Sequence, residues 1–204
     1  MNKLDKEFRS SNIEYREEEE KLILEGYAII WNTETLIGDE ARGFYESIDR
    51  NAIDPSALKD CCLKYNHDNG TFILARVRNK SLQLTMDDKG LFMRAELQAN
   101  VQQHRDVYNM VQSGLLDKMS FAFTVKNQIV NRSKDLPSRK ITKIGKVFEI
   151  SIVDIPAYDD TSVYARSLEM VEKEIESLEK EEQRSAMEDV ELEKLKAKIR
   201  LSLI

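Results

Sequence analysis

Cysteine and histidine are scarce in this chain of 204 residues, with two of each. The cysteines, Cys61 and Cys62, are adjacent. Neighbours on a strand point to opposite faces, so this pair is badly placed either to bridge or to hold one metal ion. With so few soft ligands a structural zinc site is not expected, and neither is any other metal or cofactor. Both cysteines read as small, semi-buried strand residues. No apolar run approaches the length that spans a bilayer, so no membrane partner is expected. No cluster of lysine and arginine stands out against a net charge of −6, which argues against nucleic acid. The first six residues lack the apolar core of a signal peptide, and the chain reads as one kept in a reducing cytoplasm.

What is present is a globular composition rich in charge, 41% hydrophobic and 33% charged. The length fits one ordinary domain with appendages. Residues 1–20 are polar and end in four consecutive glutamates, Glu17 to Glu20. Such a block repels itself, which predicts a flexible or loosely helical arm. A folded domain over 21–166 and a helical tail over 167–204 complete the division.

The folded part opens on strand formers at 22–31, with Gly26 marking a bulge or a close backbone approach. A second strand spans 42–48. A brief helix follows, with Asp54 as N-cap and Pro55 in its first position. A third strand at 61–65 runs into Asn66-His67-Asp68-Asn69-Gly70, a strong turn signal. Short strands at 71–77, 81–86 and 90–97, separated by turn residues, predict a meander curling into a barrel or strongly bent sheet. From Asn100, a plausible N-cap, the period becomes helical, with Val107, Met110 and Val111 as an apolar stripe and Gly114 as its stop. Residues 128–140 read as a polar surface loop, and 141–155 as a strand. In the tail Leu168, Val171, Ile175 and Leu178 take heptad positions, as do Leu192 and Ile199. Glu182, Ser185 and Asp189 break that seam, leaving a coiled-coil or docking helix. Glu169 with Lys173 and Glu176 with Lys180 have the spacing of helix-supporting ion pairs.

Three residues invite chemistry. Along 118–125, Met119, Phe121, Phe123 and Val125 share one face, while Ser120, Ala122 and Thr124 share the other. The first set faces a core, and the second leaves the Ser120 hydroxyl on an uncrowded surface. Taken alone, a serine of this kind is usually a plain serine and not a nucleophile. His67 sits where a strand meets a tight turn, either satisfying local backbone groups or serving as a base. His104 falls in the first turn of a helix among polar neighbours and reads as a solvated surface residue. Glu149 is a carboxylate within an apolar strand, so it needs a partner, whether a histidine or a nearby lysine or arginine. Asp154 has the opposite parity and lies near the strand end. A hydroxyl, an imidazole and a carboxylate together form an acyl-transfer apparatus.

Four stretches in order carry a resemblance. They are Glu25-Gly26-Tyr27-Ala28 with Arg42-Gly43-Phe44-Tyr45-Glu46, then Asn66-His67-Asp68, then Lys118-Met119-Ser120-Phe121-Ala122-Phe123, and finally the run from Phe148 to Tyr158. From about Glu25 to Ser162 the chain resembles the prohead, or procapsid maturation, proteases of tailed bacteriophages, which look like relatives of the herpesvirus assemblins. The resemblance implies a barrel-like sheet wrapped by helices. With the charged tail read from its composition as a long C-terminal helix, the expected fold is α+β, a mostly antiparallel β-barrel or strongly bent sheet with surrounding helices. It implies a protease domain over 21–166, with Ser120 as nucleophile, His67 as general base and Glu149 as third member. Assemblins use a second histidine in that place, for which His104 is a poor match. Ala122 stands where glycine is frequent in such motifs. The implied partners are the major capsid and scaffold proteins, inside an assembling procapsid in the host bacterial cytoplasm. Self-cleavage and self-association through the tail are further implications. A non-enzymatic capsid-assembly or scaffolding protein on the same fold is the alternative, and a cytosolic hydrolase of small esters ranks below both.

Overall fold

The computed structural model describes residues 7–18, 21–38, 40–41, 43–70, 73–132 and 136–154, with positions 173, 175–177, 180 and 184 beyond them. Eleven strands follow in chain order: β1 (Glu7–Asn12), β2 (Glu14–Glu18), β3 (Lys21–Ile30), β4 (Thr35–Ile37), β5 (Phe44–Ile48), β6 (Cys62–Tyr65), β7 (Ala75–Arg76), β8 (Leu82–Met86), β9 (Gly90–Leu97), β10 (Lys118–Asn131) and β11 (Ser138–Val153). A 3-10 turn, Pro55–Leu58, precedes β6, and the helix α1, Gln102–Gln112, precedes β10.

The strands form two sheets. The larger has seven strands in the order β1-β10-β11-β5-β4, with β6 joining β11 and β7 joining β6. The smaller runs β2-β3-β9-β8. Strand β11 organises the larger sheet. Antiparallel β10 lies along one side, while the other side takes parallel β5 against residues 138–141 and parallel β6 against 149–152. One core cluster draws on both sheets: Leu24, Leu91 and Met93 from the smaller, Met119, Phe121, Phe123, Ile150 and Ile152 from the larger. Phe121 and Phe123, two residues apart on one face, stack with ring centres 4.9 Å apart. Each such side chain contributes roughly 1.5–3 kcal/mol by leaving water.

Several expectations need correction. The α+β barrel with surrounding helices and a long C-terminal helix is instead a mostly β structure, 51% strand and 15% helix. The larger sheet does not close, because its path ends on β1 and β4, which do not pair. The apparent meander splits: β7 joins β6 in one sheet, whereas β8 and β9 join β3 in the other. No long C-terminal helix is seen among the described residues, and most of the expected tail lies outside them. The few helical positions there do not make a coiled-coil seam. Ile175, a heptad position, packs against the sheet residues Ile37, Phe44 and Val130, and Arg132 Nη2 donates to its carbonyl at 3.1 Å. Glu176 and Lys180 do approach, at 3.6 Å, on an exposed face.

The flexible arm is also revised over residues 7–18, where β1 and β2 each add a strand to a different sheet. The polar loop expected over 128–140 is largely the hairpin of β10 and β11. Some of its polar residues are paired instead of solvated. Arg139 is fully buried, with Nη1 3.1 Å from Glu46 Oε2 and Nε donating to Gln128 Oε1 at 2.6 Å. The irregularity expected at Gly26 falls between Tyr27 and Ile29, where Gly90 must be glycine because an added Cβ would lie 1.9 Å from the Ile29 carbonyl oxygen. Asp54 caps the 3-10 turn by accepting from the Ser56 N–H at 3.2 Å. Helix α1 starts after Val101 without a side-chain cap, so Asn100 does not serve as one. Gly114 takes φ +75°, a left-handed stop.

Candidate active site

The pairing registers determine which side chains share a face. Ser120 lies directly opposite Ser151 and Ala122 opposite Glu149. Across the parallel pair, Cys62 aligns with Glu149 and Lys64 with Ser151. Side chains alternate along each strand, so Ser120, Glu149, Ser151, Cys62 and Lys64 share one face while Met119, Phe121, Ile150 and Ile152 fill the core on the other. A register shift between Ala122 and Phe123 bounds this patch.

His67 arrives by a different route. Past β6, the Asn66 N–H continues the pairing by donating to the Ile152 carbonyl at 2.9 Å. Asn66 and His67 then take φ of 48° and 54°, two successive left-handed residues that turn the chain back. Asparagine and histidine are among the residues that tolerate this region, at a cost of order 1–2 kcal/mol each. The turn is held by the Asp68 N–H donating to the Tyr65 carbonyl at 3.1 Å and by Asp68 Oδ1 accepting from the Gly70 N–H at 2.7 Å. Asn66 Oδ1 also accepts from the Asp154 N–H at 3.1 Å, fixing the turn to the end of β11.

From this turn the imidazole reaches back, and His67 Nδ1 lies 2.9 Å from Glu149 Oε1. The other carboxylate oxygen, Oε2, is 2.6 Å from Lys64 Nζ. The Glu149 side chain is 4% exposed. Burial by itself would raise its carboxyl, but hydrogen bonds from His67 and Lys64, with the lysine's charge, outweigh it and hold the group below the ordinary carboxylate range. An ionised carboxylate accepts only, so Nδ1 donates to Glu149 and the Nε2 edge of the ring is turned away from it. Ser120 stands one diagonal step from Glu149, about 7–8 Å between backbones in such a pair, and its Oγ makes no hydrogen bond to the imidazole.

Ser120 is not on the uncrowded surface its small neighbours suggest. It is fully buried between β1 and β11, with Ser10 and Ser151 as direct strand partners. Its Oγ and that of Ser151 have no hydrogen-bond partner among the described residues. Buried hydroxyls left this way are uncommon and draw attention to a site.

The other candidates lie apart. His104, expected in solvent, is buried: its Nδ1 accepts from the Gln98 N–H at 3.0 Å, and its ring also bonds the Ile73 carbonyl. Burial lowers its pKa against the raising effect of that second bond. Asp154 is exposed at the strand end. Cys61 and Cys62 are buried free thiols, both pushed up by burial. The sequence reading missed Lys64. Its parity with Cys62 on a strand ending at the His67 turn was the available signal.

Among the described residues no helix is long and apolar enough to cross a membrane. No curated protein and no solved structure matches the chain, and the likeness to herpesvirus assemblins is not shown. A family model described as caudovirus prohead serine protease matches residues 10–176. That span covers every residue of the site, and the chain belongs to the caudovirus prohead serine protease family.

Proposed function

We propose that this chain is the endopeptidase of procapsid maturation, cleaving scaffold or the scaffold-like segment of the major capsid protein and also cutting itself. Ser120 Oγ attacks the scissile carbonyl while His67 Nε2 takes its proton. Glu149 Oε1 holds the Nδ1 proton and stabilises the imidazolium. His67 then protonates the leaving amine, and the acyl-serine is hydrolysed by a water that the same imidazole activates. The observation that carries this reading is the 2.9 Å contact of His67 with a buried carboxylate, on the face that also bears Ser120. Burial of Ser120 means that a peptide reaches it only after the covering chain moves, which suits an enzyme silent until it is packaged.

Co-expression with the major capsid and scaffold proteins, followed by intact mass, tests the proposal. Wild type should remove a defined segment from one of them, and Ser120→Ala should leave every chain full length. Equal cutting by both would exclude Ser120 as nucleophile. If neither cuts although the chain enters procapsids, the scaffolding alternative takes over.

A further inference from the structure

A short ion pair on the site face involves a residue that the acyl-transfer scheme does not use. Lys64 Nζ is 2.6 Å from Glu149 Oε2 and donates to Asn69 Oδ1 at 2.9 Å, with its side chain only 12% exposed. It aligns with Ser151 on β11, two residues along from Glu149 on the same face. One ammonium thus ties the carboxylate to the turn that carries His67. A carboxylate with both oxygens engaged, Oε1 by the imidazole and Oε2 by the lysine, has little freedom to rotate.

We propose that Lys64 is a positioning residue of this site, acting through Glu149 to hold the His67 ring in place and to moderate its basicity. The inference rests on the protease reading for its catalytic meaning. Its electrostatic content stands on the geometry alone. A carboxylate beside an imidazole favours the imidazolium, whereas a lysine on the far oxygen cancels part of that pull.

The remaining titratable groups near the pair do not replace this lysine. Cys61 and Cys62 on β6 are held neutral by burial. On the turn, Asp68 bonds the Gly70 N–H. On β11, Asp154 faces solvent past the strand end. On β10, Lys118 shares the Ser120 face by parity, but it lies opposite Val153 at the strand start, with Nζ 3.4 Å from Asp117 Oδ2.

The chain has only two histidines, so a histidine-labelled NMR titration of the full chain reports two imidazoles, and His104→Gln assigns them. Lys64→Met keeps the aliphatic stem and removes the charge. The His67 midpoint should rise by about half a unit to one unit, a roughly three- to tenfold gain in proton affinity. The acidic limb of fluorophosphonate labelling of Ser120 in procapsids should shift with it. Lys64→Arg should return both to within about twofold of wild type. If Lys64→Met fails to fold, Lys64→Gln, which keeps a donor without the charge, carries the same expectation. An unmoved midpoint, with labelling slowed evenly at every pH, would make Lys64 merely structural and overturn the proposal. Absence of labelling at Ser120 in wild type would count against the protease reading instead, while the titration would still decide whether Lys64 acts on His67.

Discussion

At the scale of residues, two readings of Glu149 hold at once. A carboxylate in an apolar strand needs a partner, and it has both a histidine and a lysine. Removing it by Glu149→Ala leaves Lys64 without its counter-charge, and a broken buried pair costs about 3–5 kcal/mol, readable by urea unfolding. Glu149→Gln keeps the shape but no longer fixes the Nδ1–H tautomer. Serine-dependent processing should fall by about 10³-fold or more, while the melting temperature changes far less. A processing rate within a few-fold of wild type would remove Glu149 from the site.

His104 makes a separate residue-scale prediction. It is kept neutral by burial, so the unfolded chain binds a proton that the folded chain refuses as pH drops below about 6.5. Its contribution is fully present above that value and is lost as pH falls toward its lowered folded value. Wild type should therefore melt at a lower temperature at pH 5.5 than at pH 7.5, and His104→Gln should flatten that difference. Glu149, also depressed, adds its own loss only below the ordinary carboxylate range. An equally steep dependence in His104→Gln would contradict the buried, neutral assignment.

At the scale of elements, the His67 turn is the part on which the site depends. Asn66 is suited to φ 48° and also accepts the Asp154 N–H. Asn66→Ala should cost about 1–2 kcal/mol through the left-handed backbone and the lost bond, and Asn66→Gly should recover the backbone share only. Processing should fall in both, because each frees the turn from β11. Equal stabilities in wild type and Asn66→Ala, measured by urea unfolding, would refute this account of the turn.

Legibility in the sequence divides along the same lines. Alternation within 118–125 and the Asn-Gly turn after β6 are local signals, and they placed Ser120 and His67 on their elements. The 128–140 segment was misread because Arg139 and Gln128 look solvated in sequence, although Arg139 bonds Gln128 across the hairpin and Glu46 on a strand far away in the chain. Lys64 was missed for a related reason: only the parallel register of β6 on β11 brings it to Glu149. Parity is visible in a sequence, but strand partners are not.

At the scale of the whole molecule, one core joins two sheets. The chain should therefore unfold in a single cooperative step, without a separate transition for the β2-β3-β9-β8 sheet. Phe123→Ala, at a fully buried and stacked position, should lower the stability of the whole by about 3–5 kcal/mol. Two resolved transitions in urea would show that the sheets are independent. The barrel expected from closely spaced strands failed at this scale, since short turns do not determine which sheet a strand joins.

The central claim is that one hydroxyl on β10, activated by His67, performs the chemistry. Its most direct test is peptide mapping of procapsids treated with a fluorophosphonate. A single adduct on Ser120, abolished by His67→Ala and sharply slowed by Glu149→Gln, is the result this account predicts. An adduct on another residue, or labelling of Ser120 that persists undiminished without His67, would contradict it.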